Sequence, residues 1–142
     1  MAYAMQESNP AVSVLKMEHI VFDEISFLRM GFQQENNELE MSFSVTVSEG
    51  ESKKYRVTLQ ATATKQNEFV AKVKVSGFVS VDEASPYGET LLKKNAVAIL
   101  MPYVRSELTL ITAQPETDPV VLPAFNINGL VDNMKKNQDE TD

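Results

Sequence analysis

An α+β fold is predicted for this chain of 142 residues: a four-stranded antiparallel sheet packed by a long kinked helix and a short C-terminal helix. Two observations predict it. The first half of the chain alternates apolar and polar residues with a period of two, in runs separated by short polar connections, and helical spacing begins only near Glu89. Strands joined this tightly pair antiparallel, because a parallel pair needs a crossover of about a dozen residues or more. A hydrophobic content of 43% is enough for one core, so a single compact domain is expected.

Residues 1–13, which include Gln6, Glu7, Ser8, Asn9 and Pro10, carry few bulky apolar groups, so burial would not offset the entropy of ordering them. They are expected to form a flexible arm. From Val14 to Leu28 the apolar phase changes, with Ile20 and Phe22 on one parity and Ile25 and Phe27 on the other, as in a strand with a bulge near Asp23 and Glu24. Leu39, Met41, Phe43, Val45 and Val47 then alternate with polar residues, Glu49 to Ser52 reads as a turn, and Tyr55, Val57, Leu59, Ala61 and Ala63 alternate again. Those two runs make a hairpin. After the polar connection Lys65 to Asn67, Phe69, Ala71, Val73 and Val75 form a fourth strand with Lys72, Lys74 and Ser76 opposite.

Leu92, Ala96, Ile99 and Tyr103 fall at helical spacing, which predicts a helix from about Glu89 to Ile111 with those four on its apolar stripe. Pro102 lacks the amide hydrogen and crowds the carbonyl four residues earlier, so the helix is expected to kink or split there. Pro115 and Pro119 bound a loop, Asn126 is placed to cap a final short helix, and residues 135–142 form a polar, acidic tail expected to be disordered.

Composition narrows the functional classes. A formal charge of −7 removes the attraction to phosphate that nucleic-acid or anionic-membrane binding requires. Without cysteine there is no disulfide, thiolate metal site or cysteine nucleophile, and a cytoplasmic setting is the simplest expectation. The N-terminal stretch lacks a basic start before an apolar run, and no apolar run reaches the ~18 residues of a membrane span, so neither secretion nor membrane insertion is expected.

The single histidine, His19, has no second histidine for a metal pair or relay and reads as a surface or interface residue. Glu35, Glu38, Glu40, Glu49 and Glu51 surround loops and turns where solvation accounts for them. No phosphate-cradling glycine loop or nucleophile arrangement occurs, so no catalytic residue, metal ligand or cofactor is assigned and no enzymatic activity is expected. The seven methionines supply unbranched side chains that adapt to irregular partners, and most simply fill the core. Met30 and Phe32 differ, because they lie in the polar loop RMGFQQENNE and need a cover: the final helix, another subunit or a bound chain.

Three stretches, in order, resemble the bacterial preprotein chaperone family SecB. They are FDEISF at 22–27, similar to the family's first-strand segment; ILMPYVRSEL at 99–108, similar to its long-helix motif; and VVLPAFNINGLV at 120–131, similar to its loop into the last helix. The match covers residues 14–134, which would be the SecB-like domain. The resemblance implies a homotetramer, a dimer of dimers built through first strands and long helices. It further implies an ATP-independent chaperone that binds unfolded preproteins in apolar grooves and passes them to the motor SecA for translocation by the Sec export pathway.

By position, Phe32 matches an aromatic in the loop after the first strand, while Leu122, Ile127, Leu130 and Val131 match apolar positions around the final helix. Phe125 and Met134, added from the apolar pattern, complete the expected client-binding set. Glu24 keeps one acidic position of the family's motor-binding surface, but Leu28 replaces a second and Lys72 a third, removing or reversing charges that steer a basic partner. Some SecB-like proteins instead serve antitoxins of toxin–antitoxin modules, which is the alternative reading here. A non-chaperone ligand-binding α+β domain is a further alternative, and it calls for a buried polar group among core-facing residues, where only the Tyr55 hydroxyl is found.

Overall fold

Four strands follow one another along the first half of the chain, β1 (Leu15–Arg29), β2 (Glu40–Glu49), β3 (Lys54–Lys65) and β4 (Phe69–Val81), and the helix α1 (Glu89–Thr112) follows them. The computed structural model describes residues 15–81, 89–123 and 129–131, of which 129–131 are helical and belong to the short C-terminal helix. The expected N-terminal arm, the Asn126 cap and the acidic tail lie outside the described residues. All strand pairs are antiparallel in the order β1-β4-β3-β2, so β1 and β2 occupy opposite edges.

Parity divides the two central strands cleanly. Odd-numbered Val57, Leu59, Ala61 and Ala63 of β3 and Ala71, Val73 and Val75 of β4 are fully buried beneath α1, while even-numbered Thr58, Gln60, Lys72 and Lys74 face outward and are half-buried. The helix lies mainly over β4 and β3. At Gly77 the side chains of Met17 from β1 and Leu100 from the helix fill the space above the sheet, so an added Cβ, 2.7 Å from the Met17 thioether and 3.3 Å from Leu100, would make the end of Met17 move aside.

The phase change in β1 is a bulge, as expected, and there are two of them. Register shifts between Met17 and His19 and between Phe22 and Glu24 leave Glu18 and Asp23 as the extra residues. Each shift flips the parity, so Leu15 and Met17, then Ile20 and Phe22, then Ile25 and Phe27 all share the helix-facing side. Phe27 stacks on fully buried Phe69 with ring centroids 5.1 Å apart. The second bulge turns Asp23 to the outer face, where its carboxylate pairs with Arg56 at 2.8 Å and accepts the hydroxyl of fully buried Ser76. Thr58 and the Arg56 Nε complete the partners of that hydroxyl.

Two expectations are corrected. The β2–β3 turn centres on Ser52 and Lys53, two residues later than predicted, with φ of 56° and 60° at those residues. Positive φ at both central positions is the mirror-image geometry that matches strand twist, here achieved without glycine or asparagine. The helix stripe is also rotated from its predicted phase. Leu92, Ala96, Val97, Leu100, Val104 and Leu108 are buried, whereas Ile99 is 37% and Tyr103 44% exposed. The reason is that α1 is apolar nearly all round, so spacing alone does not choose the inner face. The helix continues unbroken through Pro102, which is exposed.

After α1 the chain doubles back along it. Val120 and Leu122 enter the core, Val121 between them is exposed, and the carbonyls of Val120 and Leu122 are held by Thr109 at 2.7 Å and Arg105 at 3.2 Å. The buried Thr112 hydroxyl donates to Leu108 O and accepts the Val120 amide at 2.8 Å. Arg29 at the end of β1 donates to the carbonyls of Pro115 and Glu116 and to the Thr117 hydroxyl, which fastens this return segment to the sheet.

Because β1 and β2 are at opposite edges, the connection between them crosses the end of the sheet around the β3–β4 turn. Glu68 in that turn is 1% exposed, and its carboxylate accepts the Asn37 side-chain amide at 2.6 Å and the Gln34 backbone amide at 3.2 Å. The Asn37 bond, with the Gln34 amide and the charges of Lys65 and Arg29 acting in the same sense against desolvation, lowers its pKa from the ordinary 4.5.

Two outcomes follow from this packing. Leu100→Ala, which opens a cavity between helix and sheet, should cost about 2–5 kcal/mol in urea unfolding, with the secondary structure retained. A depressed folded pKa contributes stability that is present above the unfolded value and is lost as pH falls through the folded value. The stability gap between wild type and Glu68→Gln should therefore be full near neutrality and close as pH drops below 4.5, which parallel urea titrations across the acid range will measure.

Candidate functional site

The described residues hold no cluster of histidine and acidic side chains able to bind a metal ion. His19 is exposed on the outer face opposite Phe78. What the surface offers instead is apolar area. Phe22 at 38%, Ile25 at 45% and Leu28 at 63% exposure lie along β1, and Met30 and Phe32 follow in the loop at 52% and 76%. On α1, Leu91, Ile99, Tyr103 and Leu110 are exposed, and Val121 joins them at 75% exposure.

Two clefts connect these features. In one, Phe22 of β1 faces Pro102, Tyr103, Ser106 and Glu107 of α1 across a space of ≈ 330 Å³. The rings of Phe22 and Tyr103 meet edge to face with centroids 6.5 Å apart. The other, of ≈ 520 Å³, lies between α1 and the return segment and shares Pro102 and Ser106 with the first, its walls including Leu110, Val121 and Arg105. Arg105 spends one guanidinium nitrogen on Leu122 O, and its buried Nε has no hydrogen-bond partner among the described residues. A third cleft, of ≈ 370 Å³, sits at the hairpin end of the sheet, lined by Glu18, His19, Lys54, Arg56 and Phe78 among others, with charges of both signs.

The predicted client residues separate into three groups. Phe32 stands in solvent, Leu130 is half-buried against the core, and Leu122 and Val131 are core residues at 5% and 3% exposure. Phe125, Ile127 and Met134 lie outside the described residues. Leu122 is buried because the return segment is extended, so its alternate side chains point inward and outward. Glu24 is on the outer sheet face, opposite Lys74, and accepts the Ser26 hydroxyl at 3.0 Å. Leu28 and Lys72 share that face. Sequence reasoning missed that Ile99 and Tyr103 are exposed, and the signal for it was the second set of apolar residues, Val97, Leu100, Val104 and Leu108, that competes for the inner face.

No family model matches the chain. A relative by sequence is the uncharacterized protein MJ0357 of Methanocaldococcus jannaschii, 26% identical over 141 residues, covering 92% of this chain and 91% of that protein. Among solved structures, the chain is similar to the Mycobacterium tuberculosis SecB-like chaperone Rv1957, solved in complex with a ChAD peptide from the Rv1956 HigA1 antitoxin. That likeness has a TM-score of 0.69 at 14% identity and covers 81% of this chain and 93% of the other. Sheet order, the long helix after β4 and the short C-terminal helix thus give this chain the SecB-like fold.

Proposed function

We propose that this protein is an ATP-independent chaperone that holds unfolded polypeptide segments against the apolar surface running from β1 through the Phe32 loop to the clefts beside α1. The observation that carries this reading is the exposure of large apolar side chains on a SecB-like scaffold, Phe32 above all at 76%. Clients that share no sequence are bound through apolar contact and backbone bonds, which such a surface supplies without converging polar groups. No helix among the described residues is long and apolar enough to cross a membrane.

The working form in this reading is a homo-oligomer, a dimer of dimers. Its support is the pair of surfaces left uncovered in one chain: the β1 edge, a 15-residue strand with one sheet neighbour, and the outward row of α1. Both would be covered by further copies.

Two services fit a holding chaperone: delivery of preproteins to the motor SecA and custody of an antitoxin segment. The outer sheet face favours the second, because Glu24 stands opposite Lys74, Asp23 is paired with Arg56, and Lys72 and Leu28 occupy positions where an acidic side chain would steer a basic motor surface. The solved neighbour that binds an antitoxin peptide is consistent with that preference.

Light scattering of the protein mixed with reduced, carboxymethylated lactalbumin, without nucleotide, should give a complex of higher mass than with the folded form of the same protein; equal behaviour of the two forms would sink the holding reading. Phe32→Asp should weaken that binding about tenfold or more, an order set by loss of one buried aromatic anchor. Its melting temperature and oligomeric mass should stay at the wild-type values, since the ring is in solvent.

A further inference from the structure

The segment from Met30 to Leu39 joins opposite edges of the sheet, and its described anchors converge on the β3–β4 turn. The Glu68 carbonyl accepts the Met30 and Gly31 amides at 2.8 and 3.2 Å. Its carboxylate accepts Gln34 N at 3.2 Å and Asn37 Nδ2 at 2.6 Å, and Asn37 also reaches Gln66 O at 3.0 Å. Phe32 and Gln33 are the residues between the two sets of anchors. Gly31 lies so near the turn that an added Cβ would be 2.3 Å from Asn67 O, so the chain has no room to settle inward. Arg29 donates to Gly31 O at 3.0 Å and holds the loop's near end. A ring tethered on both sides in this way cannot fold back onto the apolar edge of β1, and it stands 76% exposed.

A carboxylate at 1% exposure is expensive to bury, and a loop needing only to connect two strands has no call for one. We infer that Glu68 is a positioning residue for client contact: by gripping the loop on both sides of Phe32, it keeps that ring presented to an unfolded chain. The inference rests on the holding function proposed above. Its physical basis is preorganisation, because a loose loop would present the ring for only a fraction of the time and affinity would fall by that fraction.

The test is a double-mutant cycle on binding of reduced, carboxymethylated lactalbumin by the full chain. Glu68→Ala should weaken binding about fivefold, and in a Phe32→Ala background it should add no further loss, because Glu68 acts through that ring. Equal losses in both backgrounds, the sign of a general structural effect, would overturn the inference, as would no loss in either. Should Glu68→Ala fail to fold, Asn37→Ala, which removes the side-chain bonds to Glu68 and Gln66 O, is read in the same cycle. If the wild type does not bind the probe, the holding function falls, and the grip is then read by amide hydrogen exchange over residues 30–37. Faster exchange in Glu68→Ala supports the grip, and unchanged exchange rejects it.

Discussion

The odd-numbered face of β3 and β4 has to be covered, and α1 covers it. That burial places Val57, Leu59, Val73 and Val75 against Leu100, Val104 and Leu108, all out of water, and other features of the fold follow from it. Over Gly77, where no side chain stands, Met17 of β1 and Leu100 of the helix come together above the sheet. Because α1 runs along the central strands, the edges receive less cover: Val45 alone on β2 is buried, and β1 is at best half-buried along its length.

Strand β1 reconciles a long edge with a twisted sheet by means of its two bulges. Each extra residue resets the phase so that apolar side chains keep returning to the helix side, and the second one delivers Asp23 to Ser76 and Arg56 on the other. The bulges also interrupt the regular spacing of the free edge, a way to discourage indiscriminate strand pairing while leaving the edge open to a specific partner. On the helix side of this edge Phe22 forms a wall of the cleft beside α1, so oligomer formation through β1 and client holding in that cleft would draw on adjacent surface.

Charge organises the opposite face. With a net charge of −7 the chain as a whole is acidic, yet the outer side of β4 carries Lys72 and Lys74, with Glu24 of β1 set against the latter. The overall balance therefore says little about this surface, since recognition there depends on which side chains share a face.

Strand existence, strand parity, the bulge at Asp23 and the long helix were all legible in the residues, because period-two and helical patterns record which side of an element is buried. The two turns were legible in place to within two residues, although Ser52 and Lys53 carry a left-handed geometry that their identities do not announce. The inner face of α1 was not legible: with apolar residues at Ile99 and Tyr103 as well as Val97, Leu100 and Val104, only packing against the sheet selects the buried side. Phe32 could be singled out as a bulky ring in a polar loop, but its fixed protrusion depends on Glu68, 36 positions away. The sequence by itself determined the elements and their amphipathic faces, which are local properties of the chain; the tertiary structure alone decided sheet order, the burial of Leu122 and Val131 and the grip on the Phe32 loop, because each requires residues far apart in sequence to meet.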